Sequence, residues 1–171
     1  PGIGKSTLMM QALAALAGSS ANGGAGRSAL YVTGEESAAQ VALRARRVGG
    51  KGMDEVHLLA TTDLEDAESA LASMKPEVAV IDSIQTLRSS ELGSSAGSVT
   101  QLREVSGRLI DLAKRHGTAM FLIGHVTKEG TLAGPKMLEH LVDTVLAFEG
   151  DRSHAFRVVR ATKNRFGPAH E

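Results

Sequence analysis

The chain has 171 residues and a formal net charge of +0, with 42% hydrophobic and 22% charged residues, which is ordinary for one globular domain. The balanced charge excludes a strong overall attraction to nucleic acid or anionic membranes, so such binding would need local basic patches. The absence of cysteine excludes disulfides and thiolate metal sites, and the absence of an apolar run of about 18 residues excludes a membrane-spanning helix.

The first part of the chain alternates helical periodicity with short apolar runs, which predicts helices between buried strands. Capping-box spacing at Thr62–Glu65 predicts the start of a helix that continues to about Met74. The predicted elements before it are a helix over 6–16, a strand over 29–32, a helix over 37–48 and a strand over 57–60.

The second part repeats this alternation and ends differently, in two consecutive strands. A second capping-box match, Ser98–Gln101, opens a helix that runs to His116, with Gly117 as its C-terminal cap. The remaining predicted elements are a strand over 78–82, loops over 88–97 and 126–136, a strand over 119–123, a helical turn over 139–142, and strands over 144–148 and 156–159 joined by a turn at 150–153.

This order predicts an α/β fold with a mostly parallel sheet, helices on both faces and an antiparallel edge. Ligands in such sheets bind at the carboxyl ends of the strands. The polar residues that follow predicted strands are therefore candidates for the functional site: Glu35, Glu36, Asp82 and His125.

The first seven residues, PGIGKST, match the second half of the phosphate-binding pattern G-x-x-x-x-G-K-[ST], so the motif is expected to be truncated here. Glycines let backbone N–H groups approach phosphate, the lysine reaches the β- and γ-phosphates, and the serine hydroxyl ligates Mg²⁺. The alternative is a turn that merely starts a helix. The candidate nucleotide-binding residues are Gly2, Ile3, Gly4, Lys5, Ser6 and Thr7.

Two kinds of acid complete this candidate site. Asp82 follows four apolar strand residues, where a Walker B acid would hold Mg²⁺ opposite Ser6. Glu35 or Glu36 could orient or deprotonate the attacking water, and Glu35 is favoured because it is nearer its strand. The alternative interpretations are that Asp82 only ends its strand and that the two glutamates only stabilise the dipole of the helix that follows them. His125 could contact the γ-phosphate or the water, or be structural.

Basic residues offer weaker signals. Arg88 is the only cation of the loop over 88–97, and Lys128 and Lys136 are the only cations of the loop over 126–136. Spacing alone favours ordinary surface loops over DNA-contacting ones. Five cations and no acid lie between 152 and 165, as on a solvated strand face or among cations that enter a neighbouring subunit's nucleotide site.

Seven segments form a combined pattern along the chain: PGIGKST, LYVTGEES, VAVIDSIQT, GSVTQLRE, GHVTKEGTLAGPKMLEH, DTVLAFEGDR and KNRFG. This combination resembles the bacterial RadA family of DNA-repair proteins, which are RecA-like ring motors distinct from the archaeal recombinases of that name. The resemblance covers essentially the whole chain, and its KNRFG and GHVTKEG segments are more specific than the P-loop, which many NTPases share.

The resemblance implies a RecA-like P-loop NTPase core over 1–171 that uses ATP and Mg²⁺ and works in the bacterial cytoplasm. It implies a homo-oligomeric, hexameric ring on single-stranded DNA that drives branch migration in homologous recombination and repair. Recombination intermediates are the implied substrates, and a RecA-type recombinase is a candidate partner. Members of the family usually carry an N-terminal four-cysteine zinc finger and a C-terminal Lon-protease-like domain, and neither is expected within this chain.

The resemblance also implies roles for single residues. Glu35 matches the catalytic glutamate, and Lys163 and Arg165 are expected to act on ATP across a subunit interface. Arg88, Lys128 and Lys136 fall in the segments that match the two DNA-binding loops.

Two other functions remain as alternatives to this recombination motor. One is another RecA-core ATPase, such as a replicative helicase or a clock-type ATPase, and the other is a non-hydrolysing, ATP-dependent DNA-binding scaffold.

Overall fold

A computed structural model describes residues 4–18, 27–50, 52–125, 133–150 and 156–169. The helices are α1 (Lys5–Gly18), α2 (Ala38–Val48), α3 (Leu64–Met74), α4 (Val99–His116) and α5 (Ala133–Leu141), with a 3-10 turn at Met53–Glu55. The strands are β1 (Ala29–Thr33), β2 (Val56–Ala60), β3 (Val78–Asp82), β4 (Ala119–Ile123), β5 (Thr144–Gly150) and β6 (Arg157–Asn164). None of the described helices combines the length and the apolar character needed to cross a membrane.

Four strands form a parallel sheet in the order β2-β1-β3-β4. β1 and β3 lie in its centre and are buried along their whole length, which explains their continuous apolar sequences. The register pairs Thr33 with Ala60 and with Asp82, and Asp82 with Ile123. The carboxyl ends of all four strands therefore form one row, and the loops that follow them meet at the same edge.

Helices cover both faces of this sheet. On one face, Leu30 and Val32 of β1 pack against apolar residues of α3 and α4. On the other face, Tyr31 of β1 packs against Met10 and Leu13 of α1 and against α2. Because successive strand residues point to opposite faces, each strand supplies both cores, and each fully buried Leu or Val contributes about 1.5–3 kcal/mol.

β5 and β6 pair antiparallel, as the sequence predicts, but they form a two-stranded sheet of their own within the described residues. The predicted fold class is confirmed, with this pair separate from the four-stranded sheet. β6 is longer than predicted because its exposed residues lack a strong apolar signal. The predicted helical turn over 139–142 is the end of α5, and the predicted loop over 126–136 is wrong from Ala133 onward, where α5 begins, because glycine and proline are tolerated in the first turn of a helix. The predicted turn beyond Gly150 lies outside the described residues.

The helix caps correct two predictions. α3 is capped by Asp63, whose carboxylate accepts hydrogen bonds from the N–H groups of Glu65 and Asp66, and not by Thr62, because a charged acceptor also complements the helix dipole. Ser98 does cap α4. The Gln101 side chain does not complete the predicted capping box, because it is buried in bonds to the loop over 88–97. Gly117 ends α4 with a φ of 69°, as predicted.

Candidate nucleotide site

Side chains from four segments meet at the carboxyl edge of the parallel sheet. Lys5 begins α1, Glu35 follows β1 by two residues, Ser83 follows β3 directly, and His125 follows β4 by two residues. The aligned strand ends bring these loops together. We call Lys5, Glu35, Asp82, Ser83 and His125 the site cluster.

A chain of hydrogen bonds joins four residues of the site cluster. Lys5 Nζ lies 3.1 Å from His125 Nδ1, and His125 Nε2 lies 2.9 Å from Glu35 Oε1. Because an ammonium group only donates, Nδ1 is the acceptor and the Nε2–H donates to Glu35. The Ser83 hydroxyl donates to the same carboxylate oxygen at 2.6 Å. The glutamate is therefore fixed in place beside the lysine.

The hydrogen bonds also set the charge state of Glu35. Partial burial raises the pKa of this carboxyl group, but the Ser83 hydroxyl, His125 and Lys5 together lower it below its usual value. Glu35 is consequently ionised at neutral pH, which is the state that a group needs in order to orient a water molecule or accept its proton.

Asp82 is 5% exposed and its two carboxylate oxygens differ. The Tyr31 hydroxyl donates to Oδ2, whereas Oδ1 is buried without a hydrogen-bond partner among the described residues. Burial, and then the hydrogen bond and charge of Asp82, raise the pKa of Tyr31, while a hydrogen bond with the Ser6 side chain acts in the opposite direction. Tyr31 therefore connects Ser6 with Asp82.

This arrangement fits a divalent cation. A buried carboxylate oxygen without a partner is costly unless a ligand compensates it, and hard cations prefer such oxygens. Ligand atoms of Glu35, Asp82 and His125 also lie within 4.8 Å of one another. The sequence predicts Ser6 and Asp82 as the residues that would hold Mg²⁺, and that assignment stays a prediction.

The two adjacent glutamates have different partners. Glu36 forms an ion pair with Arg44 of α2, so only Glu35 belongs to the site cluster. Gly34 directly precedes the two glutamates, and a Cβ at that position would lie 2.1 Å from the Thr86 hydroxyl oxygen. The backbone directly after β1 therefore passes close to the loop that follows β3.

Hydrogen bonds hold the loop over 88–97, which contains Arg88, one of the residues predicted to contact DNA. Arg88 is exposed, and its N–H donates to Thr62 O at 3.0 Å. The Gln101 amide donates to the carbonyls of Ser89, Leu92 and Ser94 and accepts from the Ser89 N–H. Arg88 does not take part in the site cluster.

A second charged group supports the same loop. Arg108 of α4 contacts Glu65 and Glu68 of α3 and Ser89 and Glu91 of the loop. We call these five residues the Arg108 cluster. Within it, burial works against ionisation, but the Ser89 hydroxyl, Asp63 and backbone N–H groups lower the pKa of Glu65 to about 2.

The two cations of the KNRFG segment lie at the far end of β6 from Arg157. Lys163 Nζ donates to the carbonyls of Glu139 and Val142 at 2.6 and 2.8 Å, which satisfies carbonyl groups at the end of α5. Arg165 Nη1 lies 2.7 Å from Asp143 Oδ1. In this chain neither cation joins the site cluster.

The remaining predicted residues are partly outside the described ranges. Thr7 lies in the first turn of α1. Gly2, Ile3 and Lys128 are outside the described residues, and Lys136 lies in α5 with its side chain outside them. No contact is therefore assigned to these four side chains.

Sequence reasoning did not find Tyr31 or Ser83, and it considered Arg157 only as one of the five cations between 152 and 165. Tyr31 carries the one available signal, a hydroxyl within an otherwise apolar buried strand, which needs a partner when buried. Ser83 follows the predicted Walker B acid directly. Arg157 begins β6, and its Nη1 would lie 2.6 Å from a Cβ placed on Gly4, a contact that connects residues too distant in the sequence to be paired.

A lysine of the phosphate-loop motif, an ionised glutamate and a buried strand-end acid with a free oxygen lie at one edge of the sheet, a combination that is typical of nucleotide-hydrolysing sites. The chain accordingly falls in the class of P-loop nucleoside triphosphatases. A family model described as an AAA domain matches residues 1–131. The chain therefore belongs to the AAA domain family.

Curated relatives are similar over the whole chain. DNA repair protein RadA of Bacillus subtilis (strain 168) is 52% identical over 171 residues, which cover 100% of this chain and 36% of the relative. The protein of the same name from Streptococcus pneumoniae (strain R6) is 50% identical, with 100% and 39% covered. That from Listeria monocytogenes serovar 1/2a is 49% identical, with 100% and 36% covered. The resemblance to bacterial RadA proteins is confirmed, and the chain spans little more than a third of their length.

Proposed function

We propose that this chain is the ATPase core of a DNA motor that acts in homologous recombination and DNA repair. The observation that carries the proposal is the site cluster, in which Lys5, His125 and Glu35 are joined beside the free oxygen of Asp82. The names of the relatives, DNA repair protein RadA, support the biological role.

Four residues of the site cluster, together with Ser6, have distinct tasks in ATP hydrolysis. Lys5 binds the β- and γ-phosphates and Glu35 orients or deprotonates the attacking water. His125 links the two, so a movement of Lys5 toward phosphate changes the hydrogen bonding of Glu35. Ser6 and Asp82 would hold Mg²⁺, which neutralises phosphate charge when bound.

Completion of the site by a neighbouring subunit of a hexameric ring is part of the proposal. Lys163 and Arg165 lie on the KNRFG segment away from their own site cluster and would stabilise phosphate charge on the neighbour's nucleotide. Exposed apolar side chains on the two-stranded sheet support assembly, since large exposed apolar surfaces mark contact sites. These side chains include Leu146, Val158 and Val159.

DNA would contact the loops at the carboxyl edge of the sheet. Arg88 is exposed on the loop anchored by Gln101, Lys128 belongs to the second predicted loop, and Lys136 lies in the first half of α5. Single-stranded DNA and recombination intermediates are the proposed substrates, branch migration is the proposed outcome, and a RecA-type recombinase is a candidate partner.

Turnover of ATP tests this function directly. The protein expressed from its complete gene should hydrolyse ATP faster with a single-stranded oligonucleotide than without it. The stimulation should fall steeply as salt rises, because phosphate contacts release counterions. An ATP turnover rate that the oligonucleotide leaves unchanged at low salt would contradict the DNA-motor assignment.

A further inference from the structure

Arg157 lies against the phosphate loop of its own chain. It is the first residue of β6, and its guanidinium packs on Gly4, where an added Cβ would lie 2.6 Å from Nη1 and 3.4 Å from Cζ. Gly4 has a φ of +95°, a backbone conformation that favours glycine. The glycine therefore serves both the turn of the loop and the close approach of this arginine.

The electrostatics of this contact indicate an anion. The N-terminus of α1 carries a partial positive charge, and Lys5 adds a full one. Arg157 is exposed, so solvent screens the repulsion between these cations, and together they form a concentrated positive surface that an anion would complement. Within the described part of the chain, Arg157 has no carboxylate within ion-pair distance, in contrast to Arg44, Arg108 and Arg165.

Two further cations, Lys163 of β6 and Arg165 directly after it, are engaged at the opposite end of the strand. Lys163 is bonded to carbonyls at the end of α5, and Arg165 is paired with Asp143. Arg157 and Lys163 are six residues apart on one strand, which corresponds to about 20 Å. β6 thus places Arg157 beside its own phosphate loop, whereas Lys163 and the following Arg165 lie at the other end of the strand.

We infer that Arg157 is a phosphate-binding residue that contacts the nucleotide bound by its own subunit. A guanidinium has paired donors that match phosphate oxygens, and it lies over the loop glycine that precedes Lys5. This inference rests on the proposed ATPase function. It adds that β6 connects two nucleotide sites, with Arg157 acting in cis and Lys163 and Arg165 acting in trans.

Nucleotide binding tests the role of Arg157 without requiring turnover. Affinity for the non-hydrolysable analogue AMP-PNP with Mg²⁺ is measured for the wild type, Arg157→Ala, Arg157→Lys and the exposed control Arg47→Ala. Arg157→Ala should weaken binding about tenfold, since a charge-assisted bond is lost, and Arg157→Lys should weaken it less. Binding by Arg157→Ala as tight as that of the wild type, or tighter, would overturn the inference alone. Absence of binding by the wild type and Arg47→Ala would overturn the proposed function as well.

Mixed assemblies distinguish cis from trans action. Lys5→Ala subunits have a defective site but intact β6 cations, so they can assist a neighbour. Mixing them with Lys163→Ala subunits should restore part of the ATP turnover, because some interfaces then combine an intact Lys5 with an intact Lys163.

Mixing Lys5→Ala with Arg157→Ala subunits should restore nothing, because each subunit lacks a residue of its own site. Arg157→Ala alone should lower kcat about 100-fold, in the range for loss of one donor to a developing charge. Restored turnover in this second mixture would show that Arg157 acts in trans and would overturn the cis assignment. Failure of the Lys163 mixture would contradict the trans role of Lys163.

Discussion

The site cluster and the Arg108 cluster are both dense groups of charge that join distant segments, yet they differ in one respect. Arg108 donates to three glutamates and a serine, and no atom of these five side chains is buried without a partner. In the site cluster, Asp82 Oδ1 is buried and unpartnered. Charge density therefore does not distinguish these two clusters, whereas the unsatisfied oxygen of Asp82 does. An unpartnered buried oxygen is not sufficient by itself, because Glu36 Oε2 and Gln85 Oε1, which lie outside the site cluster, are also buried without a partner among the described residues.

The largest effect that separates the two clusters should follow from Lys5→Ala. Loss of the ammonium removes the principal cation of the phosphate loop, so we expect ATP affinity to fall at least about 100-fold with little loss of stability. Titration of Mg·ATP measures the affinity, with exposed Lys114→Ala of α4 as the matched control. A near-normal ATP affinity of Lys5→Ala would contradict the assignment of the site cluster as the nucleotide-binding one of the two clusters.

Arg108→Ala should have the opposite profile. It leaves Glu65 and Glu68 close together without their cation, and we expect about 2 kcal/mol lower stability to unfolding. Urea denaturation measures this difference, with exposed Arg103→Ala on the same helix as control. ATP affinity should be unchanged. An Arg108→Ala variant of normal stability that has lost ATP binding would show that the second cluster belongs to the site.

Gln101→Leu tests how the first loop is supported. The substitution removes the amide that satisfies the Ser89 N–H and three loop carbonyls, and orphaned backbone groups cost about 1–2 kcal/mol in net stability. The free energy of unfolding of Thr100→Val, an exposed neighbour, provides the control. A stability equal to that of the wild type would show that Gln101 does not hold the loop.

The smallest predicted effect concerns the pH dependence of stability. The pKa of Glu65 falls from 4.5 to about 2 in the folded state, so its stabilisation is complete above about pH 4.5 and is lost as the pH decreases toward 2. Because the carboxylate is partly exposed, we expect about 1 kcal/mol. Glu65→Gln should therefore reduce the loss of stability between pH 5 and pH 3, and Glu104→Gln should leave it unchanged.

Most of the fold is predictable because local patterns encode it. The continuous apolar runs of β1 and β3 and the spacing of α4 depend on burial within single elements, and all of these were predicted correctly. The phosphate loop and Asp82 were also found from short motifs. Their convergence follows from a parallel sheet, whose strand ends must share an edge.

The remaining features depend on contacts between segments far apart in the sequence. Ser83 and Glu35 are 48 positions apart, and Tyr31 and Asp82 are 51 apart. Arg157 approaches Gly4 from the other end of the chain. A local motif contains no information about contacts between such distant residues. For the same reason, the sequence did not show that the Gln101 side chain would form hydrogen bonds with the loop over 88–97 and not with the N-terminus of its own helix.

The central claim is that Glu35, and not its neighbour, acts on the water that attacks ATP. The most direct test is multiple-turnover ATP hydrolysis with single-stranded DNA by the wild type, Glu35→Gln and Glu36→Gln. We predict that Glu35→Gln binds ATP normally but loses about 10²–10⁴-fold in kcat, whereas Glu36→Gln retains most of the wild-type rate. Comparable kcat for Glu35→Gln and the wild type, or a larger loss for Glu36→Gln, would contradict the account.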